Sequence, residues 1–431
     1  VNVGPGVGTA LLTDHYELTM LQAALRDGTA ARRSVFEVFA RRLPRGRRYG
    51  VVAGVGRFLD AVERFAFGPA ELEFLTSSGV VGEDTAAWLA DFRFSGDVWG
   101  YAEGDCYFPD SPILRVEGSF GEAVVLETLA LSIYNHDCAI AAAASRMARA
   151  AGDRPLIEMG SRRTHEAAAV AAARAAYLCG FATTSNLEAG RTYGVPTAGT
   201  AAHAFTLVHD DERAAFASQL AAAGKGTTLL VDTYDVPGAV RLAVELAGPE
   251  LGAIRIDSGD LRVVAEAARA QLDELGATGT RIVVTGDLDE YAIAALAAAP
   301  VDGYGVGTSL VTGSGAPTAS MVYKLVARED ASGTLQPVAK ASPGKPSRGG
   351  RKQAHRRVEG GVATAELVTL SAEGLGPADR PLQVPLVRGG EIVGREPLTT
   401  ARERHREALA ELPPHALHLS KGDPALPTLF G

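Results

Sequence analysis

Between about Asp153 and Ala327, a short apolar or β-branched run is followed again and again by a polar, glycine-containing cluster, and usually then by an alanine-rich stretch at helical spacing. That rhythm is the signature of βα units. The runs are Pro155–Met159, Gly180–Thr184, Val195–Thr200, Thr227–Val231, Ala253–Ile256, Arg281–Val284 and Val301–Gly305. The expected helices are Thr164–Leu178, Asp211–Ala222, Val236–Leu246, Leu261–Leu275 and Leu288–Ala299, with alanine and leucine on one face and polar residues between. The clusters after the runs are GSRR (160–163), TSN (184–186), GTAAH (199–203), DTYD (232–235), DSGD (257–260), TGDLD (285–289) and GVGT (305–308). Polar groups gathered at the carboxyl ends of parallel strands are how a (β/α) barrel builds its site, because backbone amides and helix N-termini converge there. A doubly wound sheet would place its site at a switch point instead. Seven such clusters in succession favour a closed barrel and allow an irregular one.

The flanks read differently. Residues 34–40, 98–103 and 113–116 look like strands of a mixed sheet, and Ala363–Leu370, Pro381–Val387 and Glu391–Val393 supply more, the last two joined through Arg388-Gly389-Gly390 as a hairpin. Thr400 is placed to cap a closing helix that runs through Leu412 to a stop at Pro413-Pro414. The expected organisation is therefore residues 1–140 and 336–431 forming one mixed α/β domain from both chain ends, around a barrel at 141–335. From Lys340 to Arg357 there are seven lysines or arginines and no acid. This stretch reads as a solvated mobile loop or, alternatively, as a lid attracted to a phosphorylated ligand.

Composition narrows the function. The 431 residues are 46% hydrophobic and 22% charged, an ordinary balance for a folded protein. A formal charge of −9 disfavours a global grip on nucleic acid. Cys106, Cys138 and Cys179 stand far apart without a CxxC, which argues against a disulfide framework or zinc knuckle and fits a reducing cytoplasm. Val1 to Thr9 carries no signal-peptide pattern, and no apolar run reaches the ~18 residues of a spanning helix, so neither secretion nor membrane insertion is expected.

Loop glycines, arginines and carboxylates without a Cys/His cage suit a phosphorylated sugar. Arginine forks match phosphate oxygens, glycine lets backbone amides approach them, and aspartates accept from ribose hydroxyls. Neither GxGxxG nor GxxxxGK[ST] occurs, which demotes a Rossmann dehydrogenase and a P-loop kinase; Gly303–Thr308 has the spacing of neither. His203, just past an apolar run, is the first catalytic candidate, although a lone histidine is more often structural. His165 is the second, in a first helical turn where a cation opposes the helix dipole.

Leu12–Met20 (LTDHYELTM), Glu158–Arg163 (EMGSRR), Gly199–His203 (GTAAH), Arg255–Leu261 (RIDSGDL), Thr285–Asp287 (TGD) and Gly305–Thr308 (GVGT) occur in that order. Together they resemble the nicotinate phosphoribosyltransferase family over nearly the whole chain. The resemblance implies an irregular α/β barrel of the phosphoribosyltransferase kind, a second domain from both termini, and a homodimer with shared sites. It also implies a reaction of nicotinate with 5-phosphoribosyl 1-diphosphate to nicotinate mononucleotide and pyrophosphate, with Mg2+, and with ATP as co-substrate hydrolysed through a phosphohistidine.

By the same resemblance, His203 is the phosphoryl acceptor, Thr200 lies against nicotinate, and Tyr16 stacks on the pyridine ring from the partner subunit. Arg255 meets the nicotinate carboxylate or an anion beside it. Arg162 takes the pyrophosphate, with Arg163 in support or in a helix-end salt bridge, Asp257 holds ribose hydroxyls, and Gly286, Asp287, Gly307 and Thr308 cradle the 5-phosphate. Asp232 and Asp260 are carboxylates for the magnesium side or for structure, and the metal ligands stay open. Met159 stands where the family commonly has phenylalanine, and a thioether is a less rigid wall for the ring. The expected partners are small molecules only. Nicotinamide and quinolinate phosphoribosyltransferases are the neighbouring alternatives, and a non-catalytic phosphosugar-binding protein is the distant one.

Overall fold

The computed structural model describes residues 8–341, 347–371 and 373–431. The start of the chain before Gly8 and residues 342–346 of the basic stretch, Lys345 among them, lie outside the described residues. The chain divides into a unit of Val1–Ala142 with Ala316–Gly431 and a unit of Ala143–Gly315.

The first unit holds a seven-stranded antiparallel sheet in the order Leu335–Pro337, Met321–Glu329, Arg33–Ala40, Leu114–Ser119, Asp97–Tyr101, Gln383–Arg388 and Glu391–Ile392. Both chain ends thus share one sheet. Apolar residues of Arg33–Ala40 enter the core, where the Phe36 and Tyr323 rings stack with centroids 4.9 Å apart. Residues 316–335 were expected in the barrel but belong here, because Met321–Glu329 pairs with residues 34–40 of Arg33–Ala40. A four-stranded sheet of Asp379–Pro381, Gln353–Glu359, Val362–Thr369 and Thr428–Phe430 completes the strands of this unit's C-terminal part.

Beyond residue 350 the basic stretch is held by ion pairs rather than being a free loop. Arg351 pairs with Glu117 at 2.9 Å, Lys352 with Glu37 at 2.8 Å, Arg356 with Glu366 at 2.6 Å and Arg357 with Asp379 at 2.8 Å. Its missing acids come from elsewhere in the chain. Thr400 does not cap the last helix, which begins earlier as Leu398–Glu411 behind Pro397, whose fixed φ suits a helix start.

The second unit is a six-stranded parallel sheet in the order Thr183–Thr184, Leu156–Glu158, Gly303–Val306, Arg281–Gly286, Ala253–Ile256 and Thr228–Leu230. It is an open, irregular barrel wall. The expected strand Val195–Thr200 contributes, among the described residues, one bridge, Thr184 to Thr197, in which Pro196 supplies its carbonyl and Ala198 its N–H. Helices Glu166–Leu178, Glu212–Ala223, Val236–Ala247, Leu261–Glu274 and Glu290–Ala295 follow the sequence reading to within a few residues. Asp211, Asp235, Asp260 and Asp289 cap the last four of these by accepting from backbone N–H groups of the first turn. No helix among the described residues is long and apolar enough to cross a membrane.

Candidate active site

In a parallel sheet all the carboxyl ends share one edge, and here the polar clusters meet. Arg255, the third residue of Ala253–Ile256, is nearly buried. Its Nη1 donates to Thr200 Oγ1 at 2.7 Å and to the Ala201 carbonyl at 3.1 Å, and Nη2 lies 3.7 Å from Asp257 Oδ2. Nε is buried without a hydrogen-bond partner. The guanidinium therefore ties the 200–201 loop to the strand and retains donor capacity.

His203 begins a short helix, His203–Leu207, and its ring stays 40% exposed. Nδ1 stands 3.2 Å from Thr233 Oγ1, while Nε2 faces Asp232 Oδ1 at 3.8 Å and Asp257 Oδ2 at 3.9 Å. Asp232 Oδ2 accepts from Asp257 N at 2.8 Å and from Ser258 Oγ at 2.6 Å, leaving the buried Oδ1 without a hydrogen-bond partner. Asp257 Oδ1 accepts from Thr285 Oγ1, which links this group to the Gly286 turn. Gly286 has φ +141°, a conformation that side chains rarely adopt.

A second group forms around Glu158. Its carboxylate accepts from Gly160 N and Thr184 Oγ1, so two strand-end loops are pinned by one buried acid whose carboxyl is pushed up by desolvation. Asn186 Nδ2 donates to Ser161 Oγ at 2.9 Å. A Cβ on Gly305 would lie 2.7 Å from Met159 Sδ and 2.5 Å from Thr285 Cγ2, so only glycine lets those two side chains approach there. Gly307 precedes the short helix Thr308–Val311, and Arg162, Asp287 and Thr308 are exposed.

A buried ion pair supports the same loop. Arg146 Nε donates to Glu290 Oε1 at 3.0 Å, and Glu290 Oε2 accepts from Ser314 Oγ at 2.7 Å, with Ser314 at φ +50°. At the opposite edge of the sheet, a concavity of about 460 Å3 contains Arg154 and Arg269, but their donors are already spent largely on backbone carbonyls.

The model of the nicotinate phosphoribosyltransferase N-terminal domain matches residues 11–135. The chain is 60% identical to nicotinate phosphoribosyltransferase pncB1 of Mycobacterium tuberculosis, over 97% of this chain and 94% of that one. The chain belongs to the nicotinate phosphoribosyltransferase family. It is also 38% identical to the nicotinate phosphoribosyltransferase of Bacillus subtilis, over 80% of this chain and 73% of that one. The crystal structure of human nicotinic acid phosphoribosyltransferase superposes with a TM-score of 0.81 at 27% identity, covering 97% of both chains. The nicotinate-nucleotide pyrophosphorylase structure from Pyrococcus furiosus, with a TM-score of 0.79 at 24% identity over 95% and 98%, shares the fold.

Of the family-derived positions, Thr200, His203, Arg255 and Asp257 form one hydrogen-bonded or near-contact group, with Gly286 one residue beyond Thr285. Met159 belongs to the neighbouring Glu158 group. Tyr16 is carried by the other unit, on helix His15–Asp27. His165 is not in a helical turn: it is the N-cap, and its Nδ1 accepts from Ala167 N at 3.3 Å, which takes a lone pair rather than a proton. Thr233, Ser258, Thr285 and Glu158 were not singled out from sequence. Their signal was present, since each sits in or beside a strand-end cluster, but their roles depend on partners from other loops.

Asp260 takes the structural alternative, its Oδ1 accepting from Val263 N at 3.3 Å as the helix cap. Asp260→Ala is expected to lower stability by about 1 kcal/mol in a denaturant melt while substrate affinity holds. A loss of substrate affinity in a fully folded variant would return Asp260 to the site.

Proposed function

We propose that this protein joins nicotinate to 5-phosphoribosyl 1-diphosphate, forming nicotinate mononucleotide and pyrophosphate, and couples the reaction to ATP hydrolysis through phosphorylation of His203, as a salvage step of NAD biosynthesis. The observation that carries the reading is Arg255: a nearly buried guanidinium, fixed by Thr200 and Ala201, with an unpartnered Nε, beside the two carboxylates that face His203. Such a fork suits the carboxylate that distinguishes nicotinate from nicotinamide.

On this reading Thr200 and Met159 line the nicotinate pocket, and Tyr16 stacks on the ring from the partner subunit of a homodimer. Arg162 meets the diphosphate, and Asp257 orients ribose hydroxyls. Gly286, Asp287, Gly307 and Thr308 surround the 5-phosphate, with backbone amides as the donors. Displacement of pyrophosphate leaves positive charge on the anomeric carbon, so leaving-group neutralisation and in-line positioning dominate. The pyridine nitrogen has its own lone pair, and no general base is needed.

Among the described residues no group of three His, Cys, Asp or Glu side chains could hold a metal ion. The unpartnered Asp232 Oδ1 and the neighbouring Asp257 nevertheless fit magnesium, which keeps several waters and takes one or two carboxylates plus substrate phosphates. Bound there, it would supply charge neutralisation for the diphosphate. Phosphorylation of His203 adds about two negative charges beside these carboxylates, which gives a route for ATP to reorganise diphosphate binding. The charge and the reduced cysteines fit a cytoplasmic setting with small-molecule partners only.

The test is mononucleotide formation from 5-phosphoribosyl 1-diphosphate with nicotinate or nicotinamide, with and without ATP. Nicotinate turnover stimulated by ATP is expected, and His203→Ala is expected to lose the stimulation while keeping a basal rate. Turnover of nicotinamide alone would overturn the substrate, and unchanged stimulation in His203→Ala would overturn the phosphohistidine.

A further inference from the structure

The LTDHYELTM segment contributes one residue to the reading above, Tyr16, yet the structure engages its neighbours more firmly. Glu17 is fully buried and ties the start of helix His15–Asp27 to the start of the long helix Glu127–Ala151. Its Oε1 accepts from Thr128 N at 2.9 Å and from Thr128 Oγ1, satisfying a donor at that helix's N-terminus. Its Oε2 meets Thr13 Oγ1, which also lies 3.1 Å from the Val125 carbonyl. Burial, and then the charge of Glu127, push the Tyr16 hydroxyl up, and Glu127, the first residue of that long helix, lies 3.8 Å from Lys324 Nζ.

Tyr16 is 45% exposed, so core packing does not hold its ring. An aromatic platform that rotates freely must be ordered whenever a ligand stacks on it, and that entropy weakens binding. Holding the ring through its neighbours removes the cost in advance.

We infer that Thr13 and Glu17 are positioning residues for Tyr16: the Thr13–Glu17–Thr128 network fixes the helix start that presents the ring to nicotinate. This rests on the proposed stacking role of Tyr16. The network is satisfied with Glu17 protonated, since Oε2–H then donates to Thr13 Oγ1 and Thr13 donates to the Val125 carbonyl. Burial pushes the Glu17 carboxyl up to about 7, with Glu127 adding to the shift; Asp14, Tyr16, Tyr323 and the Lys324 that pairs with Glu127 are the other titratable groups around it. The raised value means that the stability contributed by this proton is fully present below the usual 4.5 and is lost as pH rises through about 7.

Glutamine reproduces the protonated network, Nε2 donating to Thr13 Oγ1, whereas alanine removes it. Steady-state kinetics of the full-length enzyme should show Glu17→Ala raising the nicotinate KM about tenfold with kcat and the KM for 5-phosphoribosyl 1-diphosphate little changed, and Glu17→Gln near wild type. Thr13→Val, which removes one arm, is expected to raise it about threefold, and decides the question should Glu17→Ala fail to fold. In a Tyr16→Ala background the effect of Glu17→Ala, or of Thr13→Val, should vanish, because the positioned ring is gone. Glu17→Gln should also lose the component of stability that falls between pH 5 and 8 in the wild type.

Tyr16→Ala without effect on the nicotinate KM would sink the stacking role and this inference with it. Tyr16→Ala with a raised KM, but folded Glu17→Ala and Thr13→Val at wild-type KM, would overturn the positioning role alone. An effect of Glu17→Ala that persists in the Tyr16→Ala background would do the same, reducing the network to general stability.

Discussion

Arg255→Gln is expected to raise the nicotinate KM about 100-fold, from the loss of a charge-assisted pair and of part of the 200–201 anchor, and to erase most of the preference for nicotinate over nicotinamide. Two contributions are removed together. Nη1 donates to Thr200 Oγ1 and the Ala201 carbonyl, so losing it loosens the loop that leads to His203. The positive charge beside Asp257 disappears as well, leaving net negative charge where the proposed reading seats the nicotinate carboxylate. Arg255→Lys separates the two: a point charge is kept, the fork is not, and an intermediate loss of roughly tenfold is expected. Competition between nicotinate and nicotinamide under initial-rate conditions reads both effects. A raised KM for 5-phosphoribosyl 1-diphosphate with nicotinate unaffected would move Arg255 to the phosphate side of the site.

What was legible in the sequence follows from geometry that repeats. Parallel strands deliver their carboxyl ends to one edge, so the sequence alone places TSN, DTYD, DSGD and TGD on a common face. Within DTYD, DSGD and TGDLD the last aspartate is the helix cap, at Asp235, Asp260 and Asp289, and the earlier acids Asp232 and Asp257 are the ones left facing the site. Capping rules alone could have made that division, because the residue just before an amphipathic run is the cap.

Other features depended on partners far along the chain. Val195–Thr200 has strand composition, but whether it pairs is decided by the neighbour available to it, and among the described residues its one backbone bridge is to Thr184. Met321–Glu329 continues the βα rhythm in sequence and yet pairs with Arg33–Ala40, nearly 300 residues earlier, in an antiparallel sheet. Thr233, between Asp232 and Tyr234, gains its role only through His203, whose ring lies against its hydroxyl. A charge count over 340–357 shows only cations, since the acids that answer them are Glu37, Asp105, Glu117, Glu366 and Asp379.

Arg356 carries the largest expected effect on stability. It is fully buried, with Nη2 on Glu366 Oε1 at 2.6 Å and on the Cys106 carbonyl at 2.7 Å, and Nη1 3.4 Å from Asp105 Oδ1. Asp105 has a second cation in Arg380 at 3.2 Å, whereas Glu366 pairs with Arg356 itself. Arg356→Met keeps much of the volume and removes the charge, leaving Glu366 buried without its counter-ion, a change that costs about 3–5 kcal/mol. Burial already pushes the Glu366 carboxyl up against the pull of Arg356, so in the variant it moves higher and Glu366 takes up a proton in the folded state. The sign of the pH effect follows: a carboxyl raised in the fold favours folding at low pH, and the penalty of Arg356→Met in urea melts should shrink as pH falls from 8 towards 5. Adding Glu366→Gln to Arg356→Met should recover part of the loss at pH 8, because the buried charge is gone. A variant as stable as wild type at pH 8, or a penalty that grows on acidification, would mean that water reaches Glu366 and that this ion pair does not hold the two chain ends' shared unit together.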